Sequence, residues 1–283
     1  MKERSIESYL GWIKQLAVHY PDKHTPSLKS SQVLDFLLHL KVDRKLKGST
    51  INQALNALRN FYCEHLGFKW RIWGKIKINR DSKLPEVLTR EEVGRLLGTF
   101  RDGRYRAFFT LVYQGGFRLN EALSIRPKDI DGQRLIIRIV NGKGGKSREV
   151  PISPELLDRL RKFWKFHQNP HWLFPGVGRG WKGSGATIKQ AMHRSKHHMT
   201  DSSTWSAMKM AVVECGLHKT HHHVSTHTLR HSYATHMLEA GVTVRQVADY
   251  LGHTTLKPTM VYLHLTAVSE DQARAALRTL AGS

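Results

Sequence analysis

Residues 225–240 read STHTLRHSYATHMLEA and residues 251–266 read LGHTTLKPTMVYLHLT. The first stretch repeats Leu229, Tyr233, Met237 and Ala240 at three- and four-residue spacing, which predicts a helix with one apolar stripe. His227 and Arg230 stand three apart on a different face of that helix, so they can point at one ligand together. Upstream of the second stretch, Val244, Val247, Ala248 and Leu251 predict another helix. Gly252 ends it and leaves His253 at the exit turn. Tyr262 comes nine residues later on a short helix that Pro258 can open. Burial in a core accounts for any one of His227, Arg230, His253 and Tyr262, but not for all four.

Working outward, residues 106–125 read RAFFTLVYQGGFRLNEALSI, a buried helix broken at Gly115 and Gly116. The Gly-Gly break lets the backbone turn sharply and present Arg118 to a cleft. Farther on, RLIIRIVN and SREVPIS are strand-like runs joined by the Gly-rich GKGGK, a hairpin that holds Lys143 near its tip. TREEVGRLL begins a helix with Thr89 and Glu92 as a capping box.

The first part of the chain is helical throughout. Ile6, Tyr9, Leu10, Ile13, Leu16, Ala17 and Tyr20 share one helical face, and Pro21 follows. Ser30 is the expected cap of a second helix, and Ser49 that of a third, closed by Gly67. The connector KVDRKLKGS carries Lys45 and Lys47, and the Trp-containing exit KWRIWGKIKINRDSK carries Lys75 and Lys77. Both read as DNA-contacting segments, as does Lys146 on the hairpin. The expected organisation is a helical domain over residues 1–78, a linker over 79–87 and a larger domain over 88–283.

Composition narrows the partner. In 283 residues, 45 Lys and Arg face 23 Asp and Glu, for a formal net charge of +22. Such an excess repels itself unless an anion offsets it, and nucleic acid is the default anion. The excess is not a tail, since residues 1–80 carry 15 basic and 6 acidic side chains. Two cysteines far apart, Cys63 and Cys215, make no disulfide framework, which fits a reducing, cytoplasmic setting. No apolar run is long enough for a signal peptide core or a membrane span, so no membrane partner is expected.

Two Arg, two His, one hairpin Lys and one Tyr suit metal-free attack on a phosphodiester. Arginine forks pair with the non-bridging oxygens and stabilise the charge that grows there in the transition state. A Tyr hydroxyl, with an ordinary pKa of about 10, needs help to lose its proton, and His227 and His253 suit that work. The leaving 5′ oxygen needs a proton, which Lys143 on a Gly-flanked tip can deliver.

YQGGFRLNEALSI, NGKGGKSREVPI, STHTLRHSYATHML and LGHTTLKPTMVYLHL occur in the order and at about the spacing of the tyrosine recombinase (phage integrase) family, and the chain resembles that family along its whole length. STINQALNALRNFYCEHLGF is similar to the family's helical core-binding domain. The resemblance implies a mainly α fold with a small β-hairpin (α+β), its core-binding and catalytic domains forming a clamp around DNA. It implies Arg118, Lys143, His227, Arg230 and His253 as phosphate-activating residues, Tyr262 as nucleophile and Glu121 as support for the first Arg. The implied reaction is site-specific strand exchange, integration or excision, through a 3′-phosphotyrosyl bond, with no ATP, metal or other cofactor. The implied partners are double-stranded DNA with inverted-repeat sites and, in the synaptic complex, a homotetramer. Asn120 stands where the family commonly has Ser, and Pro258 enters the helix before the Tyr. Residues 180–205, GWKGSGATIKQAMHRSKHHMTDSSTW, resemble integron integrases, which act on folded single-stranded DNA.

Two other functions share these features: a catalytically silent DNA-binding protein of the same fold, and a type IB topoisomerase using the same bond. The intact set of six residues argues against the first, and the short chain with its domain order against the second. GKGGKS is not a phosphate loop, because that pattern needs Gly at position 140, which is Val. Gly178, Gly180 and Gly183 match a dinucleotide fingerprint without its βαβ surroundings. His193, His197, Cys215, His218, His221, His222 and His223 lack structural-zinc spacing and read as a basic region without a metal. Beyond Tyr262, Ser269 is the expected cap of a helix with Val268, Ala273, Ala276, Leu277 and Leu280 in a stripe, which the resemblance implies docks on a neighbouring protomer.

Overall fold

The computed structural model describes residues 3–74, 76, 78, 84–140, 147–178, 180–183, 185–263 and 265. The chain divides into two compact units, Met1–Lys83 and Leu84–Ser283.

In the first unit, α1 (Glu3–His19), α2 (Ser30–Val42) and α3 (Gly48–Arg59) pack around Leu16, Val33, Phe36, Leu40, Leu58 and Tyr62. Lys29 and Lys47 occupy the N-cap positions, so Ser30 and Ser49 fall one and two residues inside their helices and cap neither. At α2 the cap is made from the third residue instead: the Lys29 amide donates to Gln32 Oε1 at 3.0 Å. The last turn after α3, Asn60–His65, is a π turn, whose extra residue widens the helix. It seats Tyr62 in the core with its hydroxyl donating to the Thr25 carbonyl at 2.6 Å. Gly67 then turns the chain at φ +76°.

The second unit begins with α4 (Arg90–Thr99), where Thr89 and Glu92 form the expected capping box. Next come α5 (Gly103–Gly115) and the short α6 (Leu119–Leu123). A three-stranded antiparallel sheet follows in the order β1 (Ile130–Asp131), β2 (Ile136–Ile139), β3 (Arg148–Pro151), with Ile137 opposite Val150 and Ile139 opposite Arg148. Alternation along β2 and β3 buries Ile137, Ile139 and Val150 and leaves Arg138 and Glu149 outside, ion-paired at 3.3 Å. Five helices follow: α7 (Pro154–His167), α8 (Ile188–Arg194), α9 (Asp201–Glu214), α10 (Thr226–Glu239) and α11 (Val244–Leu251). α12 (Lys257–Leu263) carries Tyr262, and Pro258 lies in its first turn, where a missing N–H breaks no helical bond.

α10 crosses the middle of this unit. Leu229 joins the large core of α4, α5, α7 and the sheet, while Tyr233 and Ala234 build a smaller cluster with Val247, Leu251 and Tyr262. One helix therefore holds both the core and the elements that carry His253 and Tyr262.

Candidate active site

Two helix ends meet beside α10. At the end of α5, Gly116 takes φ +59°, and a side chain there would overlap the Tyr233 ring. At the end of α11, Gly252 takes φ +66°, and its amide donates to the Asp249 carbonyl at 3.0 Å. The His253 amide donates to the Ala248 carbonyl at 2.9 Å, which completes a Schellman turn and sets His253 directly after the helix.

Arg230, 5 % exposed, fills the space between these ends. Its guanidinium donates to the Gly116 carbonyl at 2.6 Å and to the Leu251 carbonyl at 2.7 Å. Both carbonyls belong to helix C-termini, whose dipoles favour a cation there. Burial and the neighbouring Arg118 nevertheless lower its pKa to about 10, so it stays charged at neutral pH.

Arg118 caps α6, where its amide donates to Glu121 Oε2 at 2.9 Å and its guanidinium to Glu121 Oε1 at 2.8 Å. A third cation, Arg148 of β3, takes both oxygens of the same carboxylate at 3.1 and 2.7 Å and also donates to the Tyr250 carbonyl at 2.8 Å. Arg230 approaches Glu121 to 4.0 Å. Burial alone would raise the pKa of Glu121, but hydrogen bonds from Arg148 and Arg118 hold its carboxyl down at about 2. Three guanidiniums share one carboxylate, so the cluster keeps an excess of positive charge.

The imidazoles surround this cluster. His253 presents Nε2 to Arg230 at 3.2 Å and Nδ1 to the buried Thr259 hydroxyl at 2.7 Å. An arginine can only donate, so Nε2 is the acceptor and Nδ1 carries the proton. Burial and the three arginines hold its pKa down at about 4. His227 stands at the start of α10, open to solvent on one side; the desolvation it does undergo, then Arg230 and Arg118, lowers its pKa.

Tyr262 is 4 % exposed, and its hydroxyl meets His231 Nδ1 at 2.8 Å. Burial raises its pKa, while the fields of Arg230 and Arg118 oppose that rise. Of the residues selected from sequence, Arg118, Glu121, His227, Arg230, His253 and Tyr262 are thus brought into one region. Lys143 and Lys146 on the hairpin, Lys75 and Lys77, the linker at 79–83 and the stripe from Val268 to Leu280 lie outside the described residues. Lys45 and Lys47 are exposed in the connector between α2 and α3, Lys45 at φ +48°.

Sequence reasoning passed over Arg148, His231 and Thr259. Arg148 lies two residues before the buried Val150, an inward position on a strand where an arginine is costly unless paired. His231 lies four residues after His227, and helical spacing places the two on adjacent turns, with ring centroids 6.4 Å apart. Thr259 carries no comparable signal.

Part of the His-rich stretch is tied into the fold. His221 Nε2 meets Glu92 at 3.0 Å, and Glu86 accepts from the amides of His222 and His223 at 2.8 and 2.9 Å. Among the described residues no three His, Cys, Asp or Glu side chains converge as a metal site, and no helix is long and apolar enough to cross a membrane.

Comparison with known proteins gives a consistent result. A family model described as "Phage integrase family" matches residues 86–268, and one described as "Phage integrase, N-terminal SAM-like domain" matches residues 1–72. An "Integrase/recombinase" of Escherichia coli is 34 % identical over 306 aligned positions, covering 98 % of this chain and 89 % of that protein. "Tyrosine recombinase XerA" of Thermococcus kodakarensis is 31 % identical over 264, covering 92 % and 82 %. Among solved structures, XerH recombinase bound to a palindromic difH substrate matches with TM-score 0.69 at 19 % identity, covering 96 % of this chain and 78 % of that one.

Proposed function

We propose, from the premise that the chain belongs to the phage integrase family and is a tyrosine recombinase, that Tyr262 attacks a phosphodiester of double-stranded DNA held by Arg118 and Arg230. The observation that carries this reading is the charge balance: three guanidiniums around one carboxylate, next to a buried phenol. A phosphodiester brings one negative charge, and its five-coordinate transition state carries more. A fixed positive excess therefore stabilises the transition state beyond the bound substrate.

In the first step the Tyr262 oxygen bonds to phosphorus, and the 5′ oxygen departs, taking a proton from Lys143. The strand end is retained as a 3′-phosphotyrosyl ester, so a partner's 5′ hydroxyl can reverse the chemistry without ATP. Lys45, Lys47, Lys75, Lys77 and Lys146 contact the DNA backbone, consistent with a net charge of +22. The sites are inverted repeats paired in a protomer tetramer, whose cyclic contacts use the segment after Tyr262.

A suicide duplex, nicked so that cleavage cannot reverse, tests the nucleophile. The wild-type chain should accumulate a denaturation-resistant protein–DNA adduct, and Tyr262→Phe should bind equally but form none. An adduct with the Phe variant would assign the nucleophile elsewhere. Relaxation of supercoils without strand exchange would favour a topoisomerase.

A further inference from the structure

The hydroxyl of Tyr262 must lose a proton as it attacks, and the two imidazoles that the sequence suggests for that work are placed otherwise. His253 has both ring nitrogens committed, Nε2 to Arg230 and Nδ1 to Thr259. His227 stands one turn earlier on α10, where its ring faces that of His231 edge-on. The group that touches the phenol is His231, with Nδ1 at 2.8 Å from the hydroxyl oxygen and the two rings 5.6 Å apart. That separation lies within the reach of a general base. We propose that His231 is a further catalytic residue, the base that receives the Tyr262 proton during strand cleavage and returns it during rejoining.

This assignment rests on Tyr262 being the nucleophile. Three further features support it. First, the contact is shielded, because Tyr262 is buried and His231 is partly buried between α10 and α12. Second, His231 immediately follows Arg230 on α10, so the residue that holds the phosphate and the residue that takes the proton share one rigid element. Third, the imidazole is neutral at physiological pH. Burial first, then the fields of His227 and Arg230, hold its pKa down at about 4, so one ring nitrogen keeps a lone pair, and in the tautomer protonated at Nε2 that lone pair lies at Nδ1, facing the phenol. A bound phosphodiester adds negative charge beside Arg230 and opposes that arginine's share of the depression, which strengthens the base when DNA is in place.

The step balances as follows. The Tyr262 O–H bond breaks and an N–H bond forms at His231 Nδ1. The electron pair left on the phenolic oxygen forms the O–P bond. The P–O5′ bond breaks with its pair on O5′, which takes the proton from Lys143. In rejoining, the 5′ hydroxyl gives its proton to Lys143 as its oxygen bonds to phosphorus, the P–O bond to Tyr262 breaks with its pair on the phenolic oxygen, and His231 returns its proton there.

His231→Asn separates a base from a mere anchor, because the Asn carbonyl oxygen reproduces the acceptor at Nδ1 but cannot hold the proton. Single-turnover cleavage is measured on a nicked duplex carrying the repeat next to the protein's own gene, shown by footprinting to be bound. His231→Asn should lose cleavage by about 100-fold at unchanged occupancy. Placing the more acidic 3,5-difluorotyrosine at 262 should restore most of that loss in the His231→Asn variant and change the His231 enzyme little. Activity of the His231→Asn variant within a few-fold of wild type, or a loss that the acidic phenol does not repair, would reduce His231 to an anchor and overturn the proposal. An adduct formed by Tyr262→Phe would instead remove its premise, a result read separately from the His231 series. If His231→Asn does not fold, ring-¹⁵N-histidine NMR of the full chain decides the contact: Tyr262→Phe must shift the His231 Nδ1 resonance, and an unmoved resonance overturns the assignment.

Discussion

Arg148 shows how one side chain sets the properties of another. By taking both oxygens of Glu121, it competes with Arg118 for a carboxylate that Arg230 also approaches, and so leaves Arg118 donors for an external anion. Arg148→Leu removes this sharing and leaves Glu121, one-tenth exposed, to draw Arg118 closer. Breaking a buried pair costs about 3 kcal/mol, and cleavage should also fall by roughly 100-fold, as for loss of a transition-state donor. Chemical denaturation and suicide-substrate cleavage measure the two effects. Cleavage at the wild-type rate in a folded variant would show that Arg118 does not depend on the sharing. At this scale His227 with Arg230 and His253 with Tyr262 were legible from local spacing and Arg118 from its Gly-Gly break, and the family resemblance joined them into one set. Arg148 was not, because its partner lies 27 residues away on another element.

Helices deliver the site through their ends. α5 and α11 stop at left-handed glycines, and the carbonyls exposed there grip Arg230 from two sides. The Gly-Gly break and the Gly252 stop were readable in sequence, since an L-residue resists φ near +60°. The caps at Ser30 and Ser49 were read one and two residues late, because a helix can start on a residue with no capping side chain when its third residue supplies the acceptor, as Gln32 does for α2. Gly116→Ala would meet both the dihedral strain and the Tyr233 ring. Its expected cost is about 3 kcal/mol, combining the strain with overpacking. Cleavage should drop too, since the carbonyl that anchors Arg230 moves. A thermal melt unchanged from wild type would show that Tyr233 yields without cost.

Across the second unit, one buried and two partly buried imidazoles link stability to acid. His167, His231 and His253 are each held down to about 4, chiefly by burial, whereas in the unfolded chain they titrate near their ordinary 6.5. Between those values the unfolded chain binds more protons, so the stability these groups provide is complete above about 6.5 and declines as pH falls toward 4. Glu121 adds to the loss below 4.5, as its folded carboxyl keeps its charge down to about 2. The melting temperature should drop on the order of 10 °C between pH 7 and pH 5. Calorimetry checks this, and a flat profile would mean that the three rings are accessible to protons in the fold. The sequence by itself determined the order of helices and strands, the glycine stops and the basic, phosphate-seeking character, because periodicity, capping and charge act over a few residues. Only the tertiary structure decided which imidazole meets the Tyr262 hydroxyl and how three arginines divide one carboxylate. Those pairings join residues 27 and 31 positions apart, one between α6 and β3 and the other where α10 packs against α12, at distances no local pattern encodes.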